Sequence, residues 1–187
     1  MKLFQIAVAG ALFLASLCGA AQAADEFLTI QLKDGPVVIQ LAPDVAPKHV
    51  ERIKALAAAG EYNNVAFHRV IEGFMAQTGD VKFGDMEDGF QPEMAGTGGS
   101  SQPDVEAEFS KVPFERGTVG MARSQDPNSA NSQFFIMFAP GDFLNGQYTV
   151  VGKVVSGMEF VDKIKRGAGD SGAVTDPDRM ISVKVGK

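Results

Sequence analysis

Apolar and polar residues alternate in the first informative stretch of the chain. Leu28, Ile30 and Leu32 are separated by Thr29, Gln31 and Lys33, the two-residue period of a strand with one buried face. Asp34-Gly35 carries turn chemistry and leads into a second apolar run, Val37 to Leu41, so the opening reads as a hairpin. The period then changes. Val50, Ile53, Leu56 and Ala57 recur at helical spacing, Pro47 stands where a first helical turn tolerates it, and Gly60 provides a stop. Short strand-like pieces follow at Val65 to Ile71, Met75 to Thr78, Gly117 to Ala122, Gln133 to Phe138, Tyr148 to Val155 and Ile181 to Val185, separated by Gly, Asn and Asp clusters. Met158, Val161 and Ile164 mark the buried stripe of a second helix ended by Gly167. About eight strands and two helices argue for a sandwich or a barrel, and periodicity does not choose between them.

The stretch from Val81 to Phe109 has neither period. It holds seven acids against Lys82 alone, together with Gly96-Thr97-Gly98-Gly99, and reads as an extended surface loop. Its acids lack calcium-loop spacing, and its glycines are not followed by the Lys-Ser/Thr pair of a phosphate loop.

Length and composition bound the rest. The 187 residues are 45% apolar and 21% charged, which fits one domain. Lys2 is the only charge before Asp25, Ile6 to Cys18 is an unbroken run of apolar and small residues, and Ala21-Gln22-Ala23 is a small-x-small site. The run is short for a bilayer span, so residues 1–23 are expected to be a cleaved signal peptide and 24–187 the mature domain. Leu17 before Cys18 argues against lipidation. Cleavage would take away the only cysteine, leaving no disulfide and no thiolate chemistry. It would also leave 16 basic against 23 acidic side chains, a net −7 in place of −6. Such a surface disfavours nucleic acid and anionic lipid as partners.

The two histidines, His49 and His68, have no second ligand nearby in sequence, and no serine stands in a Gly-x-Ser-x-Gly elbow. Neither a hydrolase nor a metal centre is indicated. What the chain does offer is a dense group of bulky apolar residues around one arginine: Phe67-His68-Arg69-Val70-Ile71, then Gly73-Phe74-Met75-Ala76-Gln77-Thr78-Gly79-Asp80.

These segments resemble the signature of the cyclophilin-type peptidyl-prolyl cis/trans isomerases. Met121-Ala122-Arg123, Asn131-Ser132-Gln133-Phe134-Phe135-Ile136 and Phe143-Leu144-Asn145-Gly146-Gln147-Tyr148 resemble its later blocks, in order. The similarity covers nearly all of residues 26 to 186. It implies a mainly β fold, a closed eight-stranded antiparallel barrel capped by two α-helices, with substrate on the outer face because side chains fill so small a barrel. It implies Arg69 as the catalytic cation and Phe74, Met75, Phe135 and Leu144 as an apolar seat for proline. Gln77, Ala122 and Arg123 would hold the substrate backbone, with Gln133, Phe143 and Tyr148 completing the substrate-binding set. It implies no cofactor and no metal, proline-containing unfolded or flexible polypeptides as partners, a monomer, and, with the signal, folding of exported proteins in the periplasm. A rival reading from another class is a proline-peptide-binding chaperone module with little catalysis; Arg69 beside the seat argues against it.

Three positions depart from the best-known eukaryotic members. Phe143 stands where they carry tryptophan, Tyr148 where they carry histidine, and Arg123 where they carry asparagine. Loss of the indole N–H donor implies weak binding of cyclosporin. The arginine leaves the residue preference beside the proline open.

Overall fold

The computed structural model describes residues 26–187; the expected signal peptide lies outside the described residues. Strands β1 (Phe27–Leu32) and β2 (Gly35–Leu41) form the predicted hairpin. The two-residue turn is Lys33-Asp34 rather than Asp34-Gly35, since Leu32 pairs with Gly35. Gly35 is instead a packing position: a Cβ there would lie 2.4 Å from the Phe160 ring, at a φ of +153°. Helix α1 (Pro47–Ala58) follows and buries Val50, Ile53, Leu56 and Ala57, the predicted stripe. Then come β3 (Arg69–Ile71), β4 (Met75–Thr78), β5 (Thr118–Met121), β6 (Phe134–Met137), a 3₁₀ turn at Asp142–Leu144, β7 (Val150–Ser156), α2 (Met158–Val161) and β8 (Ser182–Val185).

The eight strands of the described residues belong to one antiparallel sheet in the order β3-β4-β6-β5-β7-β2-β1-β8. Register shifts at Val38/Ile39 and Val119/Gly120 bend it into a curl. The closed barrel expected from the sequence is thereby corrected to an open, curled half-barrel. β3 and β8 are the two ends of the order, and no ladder joins them. The segment between α2 and β8 runs past 65–70 and makes only separate bridges, Ala66 with Arg179 and Arg69 with Ala173. Asp176 at a φ of +52°, followed by Pro177 without an N–H, interrupts that pairing. β3 is also short, its ladder with β4 ending at Arg69 and Gln77. Val65 to His68, predicted as strand, exchange single bonds with loops, such as Phe67 N–H to the Asp178 carbonyl at 2.8 Å, and form no ladder.

The second helix is shorter than predicted. It makes one turn, after which Lys163 N–H and Ile164 N–H bond carbonyls three residues back, at 3.2 and 3.1 Å. Ile164 is nevertheless buried, as its place in the stripe requires.

The core divides by sheet face. The larger cluster joins Leu28, Ile30, Ile39, Val119, Phe134 and Ile136 to Ile53 and Leu56 of α1 and Val161 of α2. The smaller comprises Met75, Phe114, Phe135, Met137, Leu144 and Val150, with Phe74, Ala122 and Tyr148 at its margin. Strand alternation explains the division: Phe134 and Ile136 serve the first cluster, Phe135 and Met137 the second. The second cluster holds most of the apolar residues expected at the site.

Candidate functional site

Ten of the eleven residues singled out from the sequence line one groove of about 300 Å³: Arg69, Phe74, Met75, Gln77, Ala122, Arg123, Phe135, Phe143, Leu144 and Tyr148. They are scattered over 80 positions of sequence, and strand pairing gathers them. Arg69 lies opposite Gln77 in the β3/β4 ladder, and Gln77 opposite Phe135 in β4/β6. The 3₁₀ turn supplies Phe143 and Leu144 to the rim.

The groove has an apolar end and a polar end. Met75, Phe135 and Leu144 form its buried floor, while Phe143 is 65% exposed at the lip. Phe143 stays there by packing on Phe74, centroids 5.5 Å apart. Beneath the floor Phe114 stacks on Phe135 at 5.7 Å, and Tyr148 meets Phe135 edge-on at 6.0 Å. Phe114 was not singled out from the sequence. It sits beyond the resembling motifs, and nothing in its local pattern marks it as a second layer under the site.

At the polar end Arg69 is half-buried and held in place. Its Nε donates to the Ser171 carbonyl at 3.0 Å and its Nη1 to Gln77 Oε1 at 3.3 Å. Its Nη2 has no partner among the described residues. Gln77 is fixed in turn, since its Nε2 donates to Gln133 Oε1 at 2.9 Å. Gln133 Nε2 then donates to the carbonyls of Gly96 and Gly98, at 3.0 and 2.8 Å. Gln133 is therefore behind the groove, in a relay that orients Gln77 and Arg69. The amide orientations are fixed by this relay, because only one assignment gives every donor an acceptor.

The relay ends in the acidic loop, which is more tightly held than an extended surface loop. Asp80 is fully buried at the end of β4 and accepts four backbone N–H groups. Lys82 and Phe83 donate to Oδ1 at 3.1 and 3.0 Å, and Gly96 and Gly98 to Oδ2 at 2.7 and 2.9 Å. Four donors compensate a buried carboxylate that would otherwise be costly. His68 packs against the same loop, with a Cβ on Gly96 falling 2.9 Å from its ring. Neither ring nitrogen of His68 has a partner among the described residues, and burial pushes its pKa down, the nearby Asp80 charge opposing that only in part. His68 is a neutral packing residue under the loop.

His49 lies away from the groove and is fully buried. Its Nδ1 lies 2.6 Å from Glu108 Oε2, and the backbone N–H groups of Lys48 and His49 donate to the same carboxylate at 3.1 Å each. Ala46, at the N-cap of α1, has no side chain able to cap, so Glu108 performs that task from 60 residues downstream. Burial pushes the Glu108 pKa up, but these hydrogen bonds outweigh it and hold the carboxyl below its ordinary value.

A second pocket of about 260 Å³ adjoins the groove. It shares Gln77, Ala122 and Arg123 with it and adds Thr97, Ser124, Ser129, Asn131 and Gln133. Arg123 forms the partition. Its guanidinium stacks on Tyr148 at 4.4 Å from the ring centroid, with Nη1 donating to the Ser124 carbonyl at 2.8 Å and Nη2 to the Gln147 carbonyl at 2.9 Å.

Comparison with known proteins places this geometry. Residues 27–185 match the family described as cyclophilin type peptidyl-prolyl cis-trans isomerase/CLD. A probable peptidyl-prolyl cis-trans isomerase of Brucella suis is 61% identical over 191 residues, spanning 99% of this chain and 97% of that protein. Peptidyl-prolyl cis-trans isomerase B of Escherichia coli is 39% identical over 74% of this chain and 83% of its own length. Among solved structures, a cyclophilin of Hirschia baltica superposes with a TM-score of 0.72 at 25% identity, covering 87% of this chain and 74% of that one. A Cryptosporidium parvum cyclophilin type isomerase, crystallised in the presence of the dipeptide Ala-Pro, gives 0.70 at 27% identity, covering 86% and 99%.

Proposed function

The chain belongs to the cyclophilin-type peptidyl-prolyl cis/trans isomerases and is an enzyme of that class, and from this premise we propose that Arg69 acts on X-Pro bonds of exported polypeptides held in the groove. Rotation about an X-Pro amide meets a barrier of about 18–20 kcal/mol because the C–N bond loses resonance. No bond breaks. In the twisted state the prolyl nitrogen becomes pyramidal and regains a lone pair, which the planar amide does not offer to a donor. Arg69, always charged and already oriented by Ser171 and Gln77, donates a hydrogen bond that exists only in that state, and such contacts raise turnover without tightening the ground state.

Phe74, Met75, Phe135, Phe143 and Leu144 seat the proline ring and remove water from the amide. The twisted form is less polar than the planar one, so desolvation favours it. A hydrogen bond to a charged group is worth about 1.5–3 kcal/mol, and each tenfold in rate needs about 1.4 kcal/mol, so Arg69 supplies roughly one to two orders of magnitude. Gln77 and the backbone at Ala122 hold the flanking peptide. The observation that carries this reading is a pre-oriented arginine fork sharing one groove with an apolar seat. Magnetisation-exchange NMR on a short Ala-Pro peptide tests it: catalysed cis/trans exchange is expected, and exchange at the uncatalysed rate would refute it.

The export setting rests on the N-terminal sequence. Lys2, the apolar run Ile6 to Cys18 and Ala21-Gln22-Ala23 form a secretory signal, and proteins arriving in the periplasm have slow prolyl isomerisation among their folding steps. The mature enzyme then works there as a monomer on unfolded or flexible clients. Periplasmic protein whose N-terminus begins at Ala24 is expected on fractionation; cytoplasmic retention with residues 1–23 intact would overturn this.

A further inference from the structure

The charges around the groove are one-sided. Across the groove and the adjoining pocket the charged lining residues are Arg69 and Arg123, and no Asp or Glu lines either, in a chain with 23 acidic and 17 basic residues. Carboxylates of the surrounding loops are otherwise engaged, and Asp126, in the turn between the lining residues Ser124 and Ser129, accepts from the Asn128 N–H at 2.9 Å. Asp80 is saturated by four backbone N–H groups, and Asp104 accepts from Asn131 Nδ2 at 2.9 Å, behind the pocket wall. Neither arginine takes part in an ion pair among the described residues.

Arg123 is also fixed. Carbonyls of Ser124, Gln125 and Gln147 accept three of its five N–H groups, at 2.8, 3.4 and 2.9 Å. Its Nε is buried without a partner, and its plane lies on Tyr148. All of its acceptors are neutral, so its positive charge is uncompensated where the proline groove meets the adjoining pocket. A flexible surface lysine would let solvent screen such a charge; a clamped guanidinium keeps it at a fixed place beside any peptide in the groove.

Resting on the isomerase reading above, we infer that Arg123 is a specificity-determining residue that selects prolyl bonds with an acidic side chain within two residues of the proline. The adjoining pocket receives that side chain, and the polar wall of Thr97, Ser124, Ser129, Asn131 and Gln133 replaces its hydration shell. Arg123 supplies the counter-charge. A basic side chain at the same place meets the same charge with the opposite sign. The chain's acidic exterior does not cancel the preference, because exposed charges more than a Debye length away, about 10 Å at 0.1 M salt, are screened.

The test is catalysed exchange, measured by magnetisation-exchange NMR, on a series of short peptides containing one Ala-Pro bond. Each carries Glu, Gln or Lys at one of the two positions on either side of that dipeptide or proline, with the neutral Gln peptides as reference. At 0.1 M salt the Glu peptide at the favoured position is expected to have a kcat/KM about threefold to tenfold above its Lys counterpart, falling towards unity near 1 M salt. Arg123→Gln should bring the Glu/Lys ratio close to one, while Arg123→Lys keeps part of it. Equal rates for Glu and Lys at every position in the wild type would overturn the inference, as would a ratio unchanged in Arg123→Gln. Should Arg123→Gln fail to fold, the wild-type ratio and its salt dependence decide alone. Absence of catalysis on the Gln reference peptides would instead refute the isomerase reading, so the two failures are distinguishable.

Discussion

Gly120, in the middle of β5, connects packing to activity through a single absent methyl group. A Cβ at this position would lie 2.6 Å from Phe114 Cε1 and 2.6 Å from Phe135 Cζ. Carbon atoms are comfortable at about 3.5–4.0 Å, so Gly120→Ala forces each ring back by roughly 1 Å. Neither ring has room. Phe114 and Phe135 are 1% and 5% exposed, they stack on each other, and the Phe114 backbone is tied to Asn145 Oδ1 at 2.8 Å. Overpacking of this kind costs about 1–3 kcal/mol, which for a domain of this size lowers Tm by roughly 2–12 °C. Phe135 is also the buried floor of the groove proposed to seat proline, so the variant should lose activity together with stability, with kcat/KM down by about fivefold because a misplaced seat spoils orientation. Thermal unfolding followed by circular dichroism, paired with the NMR exchange assay, reads both effects. Adding Phe114→Leu removes the ring that obstructs the new methyl and should recover part of the lost Tm. An unchanged Tm and unchanged activity in Gly120→Ala would refute the packing argument, and so would a double variant no more stable than the single one.

Other sites give equally direct outcomes. Glu108→Gln removes a charged cap from α1 and should cost about 1–2 kcal/mol at pH 7, seen as a lower urea midpoint. Because the folded Glu108 carboxyl lies below its ordinary value of 4.5, its stabilisation is full above that value and lost as pH falls through the folded one, so the wild type's advantage over Glu108→Gln should shrink as pH falls below 4.5. His68 behaves oppositely in origin. Its folded pKa is below 6.5, so the unfolded chain takes up a proton that the folded one refuses, stability falls as pH drops below about 6.5, and His68→Phe should flatten that slope in urea titrations between pH 7.5 and 5.5. Gln133→Leu strips the relay behind Arg69 and leaves the Gly96 and Gly98 carbonyls without their donor; kcat is expected to fall about tenfold in the exchange assay while the circular dichroism spectrum is retained.

Much of this was legible in the chain because local patterns survived folding. The alternation of Leu28, Ile30 and Leu32 and the helical stripe Val50, Ile53, Leu56 and Ala57 are buried as their periods require. The ordered motifs brought together ten groove residues that no periodicity could have joined, since pairing of β3, β4 and β6 is a long-range property. What local pattern could not carry was made by irregular backbone. The sheet stays open because Asp176 and Pro177 break the pairing at its seam, and the acidic 81–109 stretch is pinned by Asp80 and Gln133 through backbone atoms that have no sequence signature. Phe114 and Ser171 carry no sequence signature either. One acts as a buried second layer and the other through its carbonyl, which any residue provides.

In the proposed mechanism one hydrogen bond from Arg69, formed only as the amide twists, carries much of the catalysis. It is tested most directly by kcat/KM for cis/trans exchange of a neutral Ala-Pro peptide in the wild type and in Arg69→Ala, with urea midpoints compared in parallel. A fall of about tenfold to a hundredfold is expected, with the fold intact. Near-normal turnover in a folded Arg69→Ala protein would contradict it.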